Sequence, residues 1–251
     1  MTAIPIPARA VALRPLALPS EHGGWGFLGE PILLGLLIAP SWPGALLAAA
    51  AVFGFLARHP LKLALQDAVR GRSYPRTPWC RALAAGYSSI AAVTLIRALT
   101  PGVFVPLALA LPFAVIQAAY DARNRSRELL PELSGAVAMT GAGAAIAIAG
   151  GMPPTAALGL AGILIARFVP AILYVRTLLG RSPAWIALTL HAVALAAVAL
   201  WAAPLAVAAM IVLLMRALWG VTHDAPRAQT IGWREIVYGA VTVALVALGY
   251  R

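Results

Sequence analysis

The chain has 251 residues, of which 62% are hydrophobic and only 11% charged, with a mean hydropathy of +0.88. Soluble domains carry roughly a quarter charged residues, so this composition excludes an ordinary soluble protein. The apolar runs recur from Gly24 to Tyr250 with no soluble stretch between them, which points to one membrane domain.

Net charge is +11 and Lys62 is the only lysine. The arginines lie between apolar runs, where membrane proteins concentrate positive charge, so the expected partner is the lipid bilayer and not nucleic acid. Cys80 is the only cysteine, which leaves no intrachain disulfide and no paired-cysteine metal site. His22, His59, His191 and His223 are scattered without ligand spacing.

In chain order, residues 1–20 hold Arg9 and Arg14 among Pro5, Pro7, Pro15 and Pro19. With no unbroken apolar core they read as a short cytosolic tail. Residues 21–251 read as a single transmembrane helical domain. A helix needs roughly 17–25 mostly apolar residues to cross the hydrocarbon core. Runs of that kind lie near 24–40, 42–57, 82–98, 102–120, 133–151, 153–175, 183–202, 203–219 and 233–250. The fold class expected is all-α, a polytopic transmembrane bundle of about nine spans.

The connections are of two kinds, and they alternate. Residues 40–43, 100–102, 150–154 and 202–204 are short and uncharged, whereas 58–81, 121–132, 176–181 and 222–234 carry arginines. Placing every arginine-bearing loop in the cytoplasm puts the N-terminus in the cytoplasm and the C-terminus outside. Arg97 and Arg251 are exceptions at helix ends, where long side chains snorkel to the interface.

Charges inside the runs are costly and usually have a pairing or functional reason. Glu30, followed by Pro31, lies in the first run, Arg167 in the sixth and His191 in the seventh. Each sits roughly 9–14 Å from its cytoplasmic helix end at 1.5 Å per residue. Ser88 and Ser89 reach a similar depth, while Arg216 lies near a helix end and is expected to snorkel. These positions predict a cytoplasm-facing cavity with Glu30 and Arg167 as an ion pair. The alternatives are an inert buried pair, a Glu30 kept neutral by desolvation, and a His191 that merely bonds a neighbouring helix. Glu21 and His22, in the segment Glu21-His22-Gly23-Gly24-Trp25-Gly26, are expected at the cavity mouth, with Trp25 as an interfacial anchor.

Two of the arginine loops exceed what orientation requires. Arg58, Lys62, Arg70, Arg72, Arg76 and Arg81 crowd the first, and Arg123, Arg125 and Arg127 the second. Guanidinium forks bind phosphate oxygens in pairs, so these loops suit a diphosphate or a lipid head. Attraction to anionic lipids, about 1 kcal/mol per charge, is the simpler reading.

The stretches EHGGWGFLGEPILLGLL (21–37) and RHPLKLALQDAVRGRSYPRT (58–77) resemble the YwiC-like family of bacterial membrane proteins. That resemblance implies a bacterial inner membrane as the location and no stated activity. A fainter likeness is to UbiA-type intramembrane prenyltransferases, which have nine helices, a cytoplasmic N-terminus, an outside C-terminus and a cytoplasm-facing active site. Gln66-Asp67 with Arg76-Thr77 stands where that family keeps its first signature, and Tyr120, Asn124-Arg125, Pro131 and Gly135 resemble its segment between helices four and five. The departures are a first aspartate cluster reduced to Asp67 and a second replaced by Tyr174-Val175-Arg176-Thr177. One carboxylate suits at most a single Mg²⁺.

The UbiA-type likeness implies a prenyltransferase-like enzyme, or a degenerate relative, that binds an isoprenoid or lipid phosphate. Asp67 would be the metal ligand or base. Arg70, Arg72, Arg76, Tyr120, Asn124, Arg125, Arg167 and Arg176 would bind substrate or phosphate, with Glu30 and His191 as catalytic groups of the deeper pocket. The rival expectations are a small proton-coupled permease that uses Glu30, and a non-catalytic membrane scaffold. Substrate identity and oligomeric state are not legible in the residues.

Overall fold

The computed structural model describes residues 12–19 and 22–250, without the side chain of His22. Glu21 and the side chain of His22, expected at a cavity mouth, therefore lie outside the described residues. Ten helices are described: α1 Arg14–Ala17, α2 His22–Ile38, α3 Trp42–Val69, α4 Thr77–Ala98, α5 Phe104–Ala122, α6 Leu129–Ala149, α7 Pro154–Leu178, α8 Ala184–Ala199, α9 Pro204–Val221 and α10 Ala228–Gly249. A single 3₁₀ turn, Pro101–Val103, leads into α5, and there is no strand among the described residues.

Local chemistry accounts for many of the helix ends. Ser41 caps α3 by accepting a hydrogen bond from the Gly44 N–H at 3.0 Å. Pro154 and Pro204 open α7 and α9, where a missing N–H costs nothing. Gly71, Gly151 and Gly180 take positive φ in the turns that end α3, α6 and α7, a conformation that favours glycine.

Seven helices are long and apolar enough to cross a membrane: α3, α4, α5 with its 3₁₀ turn, α6, α7, α9 and α10. α2 and α8 are apolar but shorter, at 17 and 16 residues. The boundary expected after residue 57 is corrected, because α3 runs on through Pro60 to Val69. The charged residues there do not break a helix, and the added turns are covered by α1 and α4. Leu16 packs against Ala64 and Cys80, and the Pro15 carbonyl meets the His59 ring at 3.1 Å.

α6 is the central helix, flanked by α2, α3, α5 and α7. Small residues let backbones approach closely, which is how membrane helices gain packing when lipid is as apolar as leucine. A Cβ on Gly141 would come within 2.8 Å of the Pro106 carbonyl, and one on Gly143 within 3.0 Å of the Pro31 carbonyl. Gly35 of α2 is as tightly placed, since its Cβ would lie 2.8 Å from the Gly143 carbonyl and from Ile146. Gly35→Ala is accordingly expected to cost about 1–3 kcal/mol through overpacking. Thermal unfolding in detergent would read this as a lower midpoint, and an unchanged midpoint would refute the close α2–α6 contact.

The main apolar core lies among α2, α6, α7, α9 and α10, around Leu34, Leu160, Ile163, Phe168, Leu213 and Val246. α4 packs along α3 and α5 along α6. The arginine-bearing turns share one end of the bundle, joined by Lys62–Ser126, Gln66–Asn124 and Arg176–Glu132 contacts. The uncharged turns gather at the other end, where Gly150 lies against the Ala39 carbonyl and Gly249 against Ala203.

Candidate functional site

Near the arginine end the bundle buries a chain of charges. Glu30, Arg167, His191 and Arg216 are each at most 7% exposed. Arg167 reaches Glu30 Oε1 at 3.5 Å and donates to Glu235 Oε2 at 3.2 Å and to the Glu235 carbonyl at 3.0 Å. Arg216 donates to the other oxygen of Glu235 and, at 3.1 Å, to Nε2 of His191. The Arg216 guanidinium also lies 4.1 Å over the Tyr174 ring. Two arginines thus face two carboxylates, which is what burial in a low-dielectric interior demands.

The protonation of His191 follows from its partners. Arginine only donates, so Nε2 must accept, and Nδ1 carries the hydrogen that it gives to the Ala187 carbonyl at 2.8 Å. The imidazole is neutral and both of its nitrogens are engaged. Among the described residues, three buried side-chain atoms have no hydrogen-bond partner: Glu30 Oε2, Arg167 Nε and Arg216 Nε.

The helices are shaped to hold these groups. Pro31 follows Glu30, and Pro170 comes one turn after Arg167, so each charge sits where the backbone ladder is interrupted. Gly239 of α10 leaves room for Glu30, because a Cβ there would collide with its carboxylate. Gly220 does the same for the Tyr174 hydroxyl.

Above this layer opens a cavity of about 770 Å³. Glu30, Arg167 and Glu235 form its polar floor, and Phe27, Phe55, Met139, Ile172, Val175 and Ile231 line its walls. Arg58, Arg127, Arg176 and Arg181 stand around the rim. Arg58 is held by Asp121 through contacts of 2.5 and 3.2 Å. Arg176 Nη1 donates to Glu132 at 2.8 Å and to the Arg127 carbonyl at 3.3 Å, which leaves its Nε and Nη2 without partners among the described residues. Arg127 and Arg181 are exposed.

Of the residues expected at the site, the cavity brings together Glu30, Arg167 and Arg176. His191 lies behind the floor, next to Arg216. Asp67, Arg70, Arg72, Arg76, Tyr120, Asn124 and Arg125 do not line the cavity. Asp67 is fully buried where α3 ends: Oδ1 accepts from Arg76 at 2.8 Å, and Oδ2 accepts from Thr77 at 2.7 Å. That bond to Asp67 raises the Arg76 pKa above its ordinary value. Arg125 pairs with Glu128 and covers the Tyr120 ring at 5.3 Å, and Asn124, at φ +59°, accepts from Gln66. Both oxygens of Asp67, the expected metal ligand, are engaged by Arg76 and Thr77.

Two groups central to the site are ones the sequence reading does not single out. Glu235 bridges both buried arginines, and its signal is a carboxylate inside the run 233–250. Arg216, expected to snorkel, is instead buried and paired with Glu235, because α10 presents a carboxylate at its level.

The fold and the paired charges define a class, the polytopic α-helical integral membrane protein with a buried ionic layer at one end. Within that class, residues 18–147 match the model of the YwiC-like protein family, and the chain belongs to this family. The matched half includes Glu30, Arg58, Asp121 and Glu132, while Arg167, Arg176, Arg216 and Glu235 lie beyond it. No curated protein and no solved structure matches the chain.

Proposed function

We propose that the chain crosses the bacterial cytoplasmic membrane nine times, with the N-terminus in the cytoplasm and the C-terminus outside. In its cytoplasm-facing cavity it binds an isoprenoid or other lipid with a phosphorylated head. Two patterns support this placement, one through the orientation and the other through the two membrane interfaces. The arginine-bearing turns share one end of the bundle, as the positive-inside rule requires. All seven tryptophans are exposed and lie at or within two turns of helix ends: Trp25, Trp79, Trp185, Trp219 and Trp233 toward the arginine end, Trp42 and Trp201 toward the other. Such aromatic belts mark the two membrane interfaces.

The observation that carries the ligand class is the combination of arginine rim, apolar wall and buried carboxylate floor in one cavity. Arg127, Arg176 and Arg181 supply the forks for phosphate oxygens, and the apolar wall receives the chain. In the transferase form of this reading, the arginines stabilise charge on the departing phosphate while Glu30 Oε2 accepts the proton of the acceptor. A degenerate relative keeps the binding alone. The test is to titrate purified protein in nanodiscs with prenyl mono- and diphosphates. Arg176→Gln is expected to weaken binding about 10- to 100-fold, the value of one or two charge-assisted hydrogen bonds. No binding by the wild type, or equal binding by the variant, sinks the proposal. Release of inorganic diphosphate in the presence of an acceptor separates the transferase from the degenerate relative.

A second reading is favoured by one observation, the buried Glu30 Oε2 without a hydrogen-bond partner among the described residues. A carboxylate of that kind suits proton coupling in a small permease. Glu30→Gln is then expected to abolish proton uptake driven by a substrate gradient in proteoliposomes. If the wild type moves no protons, the binding reading stands alone.

A further inference from the structure

A second hollow, of about 600 Å³, lies between the α3–α4 pair and the α5–α6 pair. It follows α3 from Leu47 to Leu65, a rise of about 27 Å at 1.5 Å per residue, close to the roughly 30 Å of a bilayer's hydrocarbon core. Leucine and alanine line most of that length. Polar side chains gather at one end, where Arg58, Lys62, Gln117 and Asp121 stand together, and Ser88 is the exception. α4 and α5, which flank the hollow, are only 11% buried along their apolar windows, so it opens sideways from the bundle.

Arg58 and Asp121 engage each other through both pairs of atoms. Among the described residues Lys62 has no carboxylate partner, since its Nζ donates only to the neutral Ser126 hydroxyl at 2.8 Å. The sole lysine of the chain thus places an ammonium, with no carboxylate partner among the described residues, about 22 Å along α3 from Leu47, at the polar end of a largely apolar slot. A compact, hydrated point charge of this kind attracts phosphate without requiring fork geometry.

We propose that this slot is a second binding site, whose occupant is a membrane lipid with an anionic phosphate head at Lys62 and its chain along α3. The site is distinct from the cavity floored by Glu30, although Phe55, Arg58, Gln117 and Met139 form a wall common to both. The inference does not depend on the ligand proposed for that cavity.

The test uses full-length protein in phosphatidylcholine nanodiscs doped with spin-labelled phosphatidic acid or spin-labelled phosphatidylcholine. The wild type is expected to show a motionally restricted lipid component that favours phosphatidic acid. Gly54 is the place to block the slot, since it lines this hollow alone and a Cβ there meets nothing within 4 Å. Gly54→Phe, and Ala114→Phe from the opposite wall, are each expected to remove the restricted component. Lys62→Gln is expected to cut the preference for phosphatidic acid about five-fold, the effect of one charge near the surface. Prenyl phosphate binding in the Glu30 cavity should persist in Gly54→Phe, so failure of one site is separable from failure of the other. A wild type without a restricted component, or one that survives both filling variants, overturns the proposal. Release of the lipid by inorganic phosphate alone also overturns it, because the site would then hold a free anion.

Discussion

Glu235→Ala is expected to destabilise the protein by about 3 kcal/mol or more, because it strands two buried guanidinium groups at once. Arg167 and Arg216 both donate to this carboxylate, and both are nearly inaccessible to water. Among the described residues Glu30 remains as the one nearby acid, at 3.5 Å from Arg167, and cannot neutralise both cations. The cost should fall in the double variant Glu235→Ala/Arg216→Met, which removes a cation together with the carboxylate. Such non-additivity is the signature of groups that share one network. Denaturant unfolding in mixed micelles measures it. A single variant within about 0.5 kcal/mol of wild type, or a double variant equal to the sum of the singles, would show that the ionic layer does not hold the helices.

The second large effect is expected at Asp67. Replacement by Asn should lower stability by about 2 kcal/mol, the range for hydrogen bonds to a charged group, while binding in the Glu30 cavity stays within about two-fold of wild type. Asp67 ties the end of α3 to the start of α4 by accepting from Arg76 and from the buried Thr77 hydroxyl. It contributes nothing to the lining of the cavity. A metal-binding or catalytic role for Asp67 would give the opposite pattern, with binding or turnover lost and stability kept. Measuring unfolding and prenyl phosphate affinity on the same preparation distinguishes a clamp from a catalytic group.

The contrast between Asp67 and Glu235 shows how far the residues can be read in one dimension. Asp67 stands out in sequence as a lone carboxylate among arginines, yet its nearest cation, Arg76, satisfies it locally. Glu235 follows Arg234 at the start of a span and resembles the end of a loop, yet it is the hub of the buried layer. Arg216 illustrates the same limit. Its distance from the helix end permits snorkelling, and only the carboxylate brought alongside by α10 turns it inward. Glu30 and Arg167 were legible as a pair because both lie deep in long apolar runs, where a charge without a partner is too costly to persist.

The sequence by itself determined the helical class, the order and approximate limits of the helices, and the gathering of arginines at alternate connections. These are local properties, set by the length of apolar runs and by the residues that interrupt them. Tertiary structure alone decided which charges meet. Pairing across helices depends on how each helix is rotated about its axis and how closely its neighbours approach. Glycines such as Gly35, Gly143 and Gly239 control that approach through backbone contacts that no single run of sequence displays. The arginine-rich end was therefore visible from the outset, while the division between an ionic floor at Glu30, a clamp at Asp67 and a lysine-headed slot along α3 required the packed bundle.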